Sequence, residues 1–358
     1  MLDKYVFEKR LKRLQNLLRQ KGIDGAVIRA LSSYAYFTGT RWLRPALLIP
    51  QEGEPIAIIA RNELSAYKEK SWIENIIEYT NAEELMAAVR SWIKKNNYRK
   101  VGLEFTVERD SYMLFLNVFQ RLNPDVEIVD IHDLIMELRK FKEKEEVELI
   151  KKAGKIAKGG LTLAEKLIKP GVSELEIAAQ VKKELMLKGS EAPQVYISAI
   201  PRIHSEPFHD IKVKENSVVS VVIGADYGNY YANVSRSFIV GTPRETVKRA
   251  FIAMEKAYQY ALQHTRTGKK FIEVEREIER IYKEEGMEEY YVKGYAHGVG
   301  LLIEEDPITT IVVKHRFQNI EPGMVLAMIH APLMLPEGAI KKEDTVLITK
   351  EGIEILTD

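Results

Sequence analysis

Histidines and carboxylates are the side chains of this sequence that could perform acid–base or metal chemistry. His297 is followed by Gly298 and Gly300, small residues that let the backbone approach closely. Glu304 comes shortly afterwards, and Glu343 lies near the end of the chain. Histidine has an unperturbed pKa of about 6.5, so beside a carboxylate it suits a general acid or base. His297 is therefore a candidate for such chemistry, and Glu304 and Glu343 are two of the carboxylates that could act with it.

Two more histidines, His204 and His209, stand close together in a loop segment.

The residues that several other catalytic mechanisms need are absent from the sequence. The sequence contains no cysteine, which excludes cysteine nucleophiles, disulfides and thiolate metal sites. It also contains neither a Gly-x-Ser-x-Gly elbow nor a His-Glu-x-x-His zinc motif. Cysteine chemistry and these two hydrolase motifs are thus excluded.

Composition favours a globular protein with two domains. The chain has 358 residues, of which 46% are hydrophobic and 29% charged. Lys and Arg number 53 against 52 Asp and Glu, and charges of both signs are mixed, so no nucleic-acid or acidic-membrane partner is expected. No segment reaches the ~18 apolar residues that span a bilayer, and no signal peptide is evident, so we expect a cytoplasmic protein. Abundant Lys, Glu and Ile without Cys is typical of a thermophile.

Periodicity predicts the elements that position these residues. Residues 1–138 alternate between helices and short apolar strands, as in a small α/β domain. Residues 139–358 begin with a long amphipathic helix over 142–169, and a capping box, Ser173 with Glu176, opens the next helix. A second box at 242–245 predicts another helix start. Strands are predicted at 218–223, 230–240, 309–313, 325–329 and 345–349, so this half is α+β.

Five segments of the second half occur in the order found in a known superfamily. They are 138–146, 168–174, 296–307, 321–325 and 340–347. Together they resemble the pita-bread domain of Xaa-Pro dipeptidases, aminopeptidase P and creatinase. Segments 21–26 and 36–39 resemble the smaller N-terminal domain of prolidases and creatinase. The resemblance implies a creatinase-type α/β domain at 1–138, a pita-bread domain at 139–358, and a homodimer.

The resemblance also implies a site for two divalent cations held by two Asp, one His and two Glu. His297 and Glu343 match the His and the last Glu. The two Asp positions carry Val222 and Asn233, and the first Glu position carries Ile329, with His330 next to it. Two cations bring about +4 of charge, which one carboxylate cannot balance. We therefore expect no metal, with His297 and Glu343 as vestigial ligands; Mn, Co or Zn would bind only if that pair suffices.

Neighbouring residues offer alternatives. Asp226 lies in a predicted turn that would point it away from the inner face of the strand, and Glu304 would reach the site from another wall. Glu343 could instead form an ion pair with Arg236 or Lys341. His297 could be a buried, hydrogen-bonded core histidine.

Creatinase is similar in fold and hydrolyses a C–N bond without metal, using a loop histidine and acidic residues. His209 is the better match to that histidine and His204 stays open; either would act with His297, Glu304 or Glu343. Candidate ligand-binding residues are His204, Tyr231, Asn233 and His330. Three functions follow: a non-peptidase homologue that binds a peptide or small ligand, a metal-independent C–N hydrolase, and an Xaa-Pro dipeptidase with an atypical metal site.

Overall fold

A computed structural model describes residues 2–42, 46–106, 108, 111–202, 206–329 and 332–358. The chain forms two compact units, residues 1–139 and residues 140–358. No helix within the described ranges is long and apolar enough to cross a membrane.

The first unit is a six-stranded mixed sheet with helices. Its strand order is β4-β3-β2-β1-β5-β6, in which β2 pairs antiparallel with β1 and β3 while the other pairs are parallel. The strands are β1 Gly25–Ile28, β2 Leu47–Pro50, β3 Ile56–Ala60, β4 Asn75–Tyr79, β5 Lys100–Leu103 and β6 Glu127–Asp130. The helices are α1 Lys4–Gln20, α2 Leu31–Thr38, α3 Leu64–Lys70, α4 Ala82–Lys95, α5 Ser111–Leu122 and α6 His132–Lys140. This is the α/β architecture predicted for this half.

The second unit combines helices with an antiparallel sheet. Its helices are α7 Lys144–Leu167, α8 Glu174–Leu187, α9 Glu245–His264, α10 Phe271–Glu284 and α11 Val313–Arg316, with a 3₁₀ turn at Glu288–Tyr290. Its strands are β7 Gln194–Ser198, β8 Ser217–Tyr227, β9 Tyr230–Val240, β10 Ala296–Gly298, β11 Glu305–Ile308, β12 Val325–Met328, β13 Leu333–Leu335, β14 Gly338–Ile340, β15 Glu343–Ile348 and β16 Ile353–Ile355. The main sheet has the order β11-β10-β12-β15-β9-β8-β7, and β16 pairs with β15.

One face of this sheet packs against helices, and the other face lines a cavity. Val221 and Ile223 of β8 are buried in an apolar cluster with side chains of α7 and α8. Successive side chains of a strand point to opposite faces, so Val222 and Gly224 face the other way. A second apolar cluster joins α9 and α10 to β12 and β15. The helices thus cover the outer face, and the inner face is left to line a cavity.

Several predicted elements are confirmed and two are wrong. Ser173 accepts from the Glu176 N–H at 3.1 Å, which confirms the first capping box. Helix α9 instead begins at Glu245, because the Thr242 N–H donates to Asn216 Oδ1 in a turn. The strand predicted at 309–313 is also wrong, since β11 ends at Ile308. Ile311 and Val313 are 72% and 62% exposed, so these β-branched residues gain no packing from a neighbouring strand.

Candidate functional site

The inner face of the second unit bounds a cavity of about 400 Å³. This volume lies within the usual range for small-ligand sites, roughly 300–1,000 Å³. Its lining side chains are Tyr196, Glu206, Val222, Asn233, His297, Ile303, Glu304 and Glu343. Carboxylates, an imidazole, a phenol and an amide therefore converge on one space.

Strand register explains why distant residues meet here. Glu343 of β15 pairs with Ser235 of β9, which pairs with Val222 of β8, which pairs with Tyr196 of β7. Directly opposite residues of antiparallel strands share a face, so this row of side chains lies on the cavity side.

The neighbouring row contains His297 of β10, which pairs with Ala327, and Ala327 pairs with Thr345. Thr345 Oγ1 accepts from Asn233 N at 2.7 Å and donates to Asn233 O at 2.9 Å, extending the row to β9. His297 and Asn233 are thus brought to the same face.

His297 is buried, and its Nδ1 lies 2.9 Å from the carbonyl oxygen of Gly298. A carbonyl only accepts, so Nδ1 carries the proton and Nε2 of the neutral ring has the lone pair. The adjacent glycine is required, because a Cβ on Gly298 would lie 2.4 Å from Asp306 O. The backbone therefore fixes the tautomer of an imidazole that lines the cavity.

Only the nitrogen of the Asn233 side-chain amide has a hydrogen-bond partner among the described residues. Its Nδ2 donates to Ile303 O at 2.7 Å. Among the described residues, its Oδ1 and the hydroxyl of Ser235 are buried without a hydrogen-bond partner. Gly224 permits this arrangement, since a Cβ there would lie 2.3 Å from Ile303 Cδ1. Two buried oxygens are thus available to a group that enters from the cavity.

Glu343 is paired with a buried lysine. Lys341 Nζ lies 3.2 Å from Glu343 Oε2, and the side chains are 1% and 0% exposed. Arg236, the other expected partner, instead pairs with Asp344 at 2.8 Å and donates to the Glu343 carbonyl. The carboxylate of Glu343 therefore faces an internal cation.

Two apolar residues stand where the resemblance implies carboxylates. Val222 contributes only carbon atoms to the cavity wall. Ile329 has φ 55, a left-handed conformation that is an outlier for a β-branched residue. Its side chain is buried in the apolar cluster with α9 and α10 and is not among the lining residues. The chain thus turns this side chain away from the cavity.

The other predicted site residues lie elsewhere. His209 is exposed and is not among the lining residues, whereas Glu206 from the same loop is. Tyr231 is buried, and its hydroxyl donates to Ala192 O at 2.9 Å. His204 and His330 lie outside the described residues.

Asp226 belongs to β8 rather than to the predicted turn, and by alternation it shares the face of Gly224. Its Oδ1 accepts from Ser190 Oγ at 2.6 Å and from Ala192 N at 2.9 Å. It is engaged at the far end of the strand and does not line the cavity.

Sequence reasoning missed Tyr196, Glu206 and Ile303. Tyr196 could have been found by pairing the apolar segment 194–198 with β8, which sets it opposite Val222. Burial raises the pKa of the Tyr196 phenol, and the charges of Glu206 and Glu304 raise it further. Both carboxylates therefore act electrostatically on the cavity wall.

One buried carboxylate binds backbone N–H groups on both sides of Glu206 in the sequence. Glu174, the first residue of α8, accepts from Ala199 N at 2.7 Å and from Phe208 N at 3.0 Å. It also forms an ion pair with Arg202. A helix N-terminus favours a negative charge, which supports this position for a carboxylate.

The fold and cavity define the class of protein. The model of the creatinase/prolidase N-terminal domain matches residues 10–141, and that of metallopeptidase family M24 matches residues 148–350. The chain belongs to metallopeptidase family M24, and the pita-bread superfamily predicted from the sequence is confirmed.

Relatives match over nearly the whole chain. The Xaa-Pro dipeptidase of Pyrococcus furiosus is 28% identical over 362 residues, covering 98% of this chain and 98% of that protein. The prolidase structure from Pyrococcus horikoshii OT3 superposes with a TM-score of 0.87 at 25% identity, covering 98% of both chains. The prolidase structure from Pyrococcus furiosus gives a TM-score of 0.83 at 27% identity, covering 96% of this chain and 99% of that chain.

Proposed function

We propose that this chain is an Xaa-Pro dipeptidase-like protein that binds a peptide or small-molecule ligand in its cavity without a dinuclear metal centre. The observation that carries the proposal is the donor set on the cavity wall. Of the five ligand positions that the family resemblance implies, only His297 and Glu343 bear ligand side chains, and Glu343 is ion-paired with Lys341 at 3.2 Å.

The donor set does not fit two divalent cations. Val222 and Ile329 offer no lone pair, and the Asn233 amide is neutral. Within the described ranges, no group of three or more His, Asp or Glu side chains could hold a metal ion. Catalytic zinc normally has three protein ligands, and paired cations need several carboxylates to balance their charge. Mn, Co or Zn would bind only if His297 and Glu343 sufficed.

Retained ligand binding is supported by the cavity itself. It is about 400 Å³ in volume, and Asn233, whose buried Oδ1 lacks a hydrogen-bond partner within the described chain, forms part of its wall. Such a group is costly when dry, by roughly 1–3 kcal/mol, so a ligand that hydrogen-bonds to it gains affinity. Metal-independent hydrolysis through His209 stays a prediction, because that side chain is exposed and is not a lining residue.

The first test measures metal content and turnover together. The purified chain is incubated with Mn, Co or Zn, desalted and analysed for metal, and it is assayed on Xaa-Pro dipeptides with and without chelator. We expect less than about one ion per chain and no turnover that the chelator abolishes. The double variant H297A/E343Q is the control for any ion held by the vestigial pair. About two ions per chain with chelator-sensitive turnover would contradict the proposal.

A further inference from the structure

We propose that a groove beside helix α10 binds a compact polyanion, a small ligand with two or more phosphate or carboxylate groups. The groove has a volume of about 400 Å³, which suits a small ligand. It shares no lining residue with the cavity of the main sheet. The inference therefore concerns a separate site and does not depend on the proposed function.

Helix periodicity explains how three cations reach this groove. Arg276, Arg280 and Lys283 follow one another in α10 at intervals of four and three residues. Residues at these intervals lie on one face of a helix, and the row from the first to the last spans about 10 Å. All three residues are exposed, and all three line the groove. The helix thus presents a row of cations along one wall.

The segment that follows α10 forms the other wall. Tyr291 packs its ring against Tyr282 of α10, with the ring centroids 4.9 Å apart, and its backbone bridges to Leu333. Tyr291 and the exposed Lys293 both line the groove. Contacts to the helix and to a strand therefore hold this segment beside α10, and Lys293 adds a fourth cation to the site.

The charges of the lining residues favour an anion. Besides its four cations, the groove is lined by only two carboxylates, Glu279 and Glu288. Lys293 Nζ lies 3.1 Å from Glu279 Oε1, and Lys283 Nζ lies 4.0 Å from Glu288 Oε1. Each carboxylate is thus matched by a lysine. Within the described ranges Arg276 forms no ion pair, so its charge is left for a ligand.

Arg280 is paired, but only at the surface. Its guanidinium lies 2.9 Å from Glu277 and 2.6 Å from Glu284, neither of which lines the groove, and its side chain is 58% exposed. Exposed ion pairs are weak because water and salt screen them. A ligand with several charges that contacts Arg276 and Arg280 together can therefore compete with them. The planar fork of a guanidinium matches two oxygens of a phosphate or carboxylate.

Other ligands fit this groove less well. A cation would meet four positive side chains and two carboxylates that already have lysine partners. Nucleic acid is held by cations that follow its backbone over a long distance. Here the helical row spans about 10 Å, and the whole chain has a formal net charge of only +1. A compact polyanion is the ligand that matches both the charge and the size.

The test measures binding to the full chain by isothermal titration without added divalent cations. The probes are inorganic pyrophosphate, citrate and an oligonucleotide of single-stranded DNA. Each is titrated into the wild type, R276Q/R280Q and R90Q/K94Q. Arg90 and Lys94 are exposed residues of α4 with the same spacing, so this control removes the same charge from another helix. Thermal unfolding confirms that each variant is folded.

We expect pyrophosphate or citrate to bind with a Kd below about 1 mM at about 50 mM salt. R276Q/R280Q should weaken this binding about tenfold or more, because charge-assisted hydrogen bonds to the ligand are lost. R90Q/K94Q should leave it unchanged. Tighter binding of pyrophosphate indicates a phosphorylated ligand, and tighter binding of citrate indicates a polycarboxylate; either supports the inference.

The inference is overturned if neither small anion binds, if both double variants lose the same affinity, or if only the DNA binds. The last result would mean that the groove is part of a surface for a polymer. None of these results alters the metal content or the turnover by which the proposed function is tested.

Discussion

At the scale of single residues, the cavity wall contains a buried ion pair between Lys341 and Glu343, 3.2 Å apart. The attraction within a buried pair is largely cancelled by the desolvation of its two charges, so the pair adds little net stability. Removing one partner is different, because the other charge then stays buried without it. This asymmetry makes the role of Lys341 measurable.

We expect Lys341→Met to lower the free energy of unfolding by about 3–5 kcal/mol. The double variant K341M/E343L should recover most of that loss, because both charges are removed together. Urea unfolding of the wild type and both variants measures the effect. Lys350→Met, at an exposed lysine, is the control. A loss for Lys341→Met no larger than that of the control would contradict the assigned role.

Glu275 predicts a dependence of stability on pH. The residue is buried in α10, 3.7 Å from Arg316, and burial raises the pKa of its carboxyl while Arg316 opposes the rise. The folded state therefore holds the proton up to a higher pH than the unfolded state. Stability from this group is present below the ordinary pKa of 4.5 and is lost as pH rises through the folded pKa.

Glu275→Gln should abolish this loss, so the variant gains stability relative to the wild type as pH increases from about 4 to 8. Denaturant unfolding at several pH values measures the difference between the two proteins. Glu245→Gln, at an exposed position, supplies the baseline. A difference that stays constant with pH would show that Glu275 is ionised to the same extent in both states.

At the scale of elements, the cavity depends on the close approach of β8 to the segment that precedes β11. Gly224 allows Ile303 to pack onto the strand, and Ile303 O receives the Asn233 amide. Because Gly224 of β8 has no side chain, Ile303 can approach closely, and its carbonyl holds the amide of Asn233 on β9. The contact also sets Glu304, the following residue, at the cavity wall.

We expect Gly224→Ala to destabilise the protein by about 1–3 kcal/mol, because its Cβ would lie 2.3 Å from Ile303 Cδ1 and force that side chain to move. Gly159→Ala is the matched control: this helical glycine faces only the flexible end of Lys188, at 3.1 Å, so alanine should be neutral or stabilising. Equal stability of the two variants would contradict the close-contact argument.

At the scale of the whole molecule, short signature segments were sufficient to predict a pita-bread domain after an α/β domain. Helix α7 and the capping box at Ser173 followed from apolar periodicity and local capping chemistry. The β-branched residues of segment 309–313 favour a strand, yet that preference depends on packing that the segment lacks.

The candidate site was predictable only in part. The sequence alone shows that Val222 and Asn233 occupy positions where the resemblance implies carboxylates. Tyr196 required the pairing of β7 with β8, which is a non-local contact. That Ile329 turns into the apolar cluster depends on its backbone angle, which the residue type disfavours. The homodimer implied by the resemblance stays a prediction.

The carboxylate of Glu174 has a consequence for the entropy of ligand binding. It fixes Ala199 and Phe208, which flank the segment that carries Glu206. A backbone N–H that is hydrogen-bonded to a fixed carboxylate restricts the conformations of its residue. Ala199 and Phe208 therefore lose backbone conformational entropy when the chain folds and not when a ligand binds. These two backbone positions are in this sense organised before any ligand arrives.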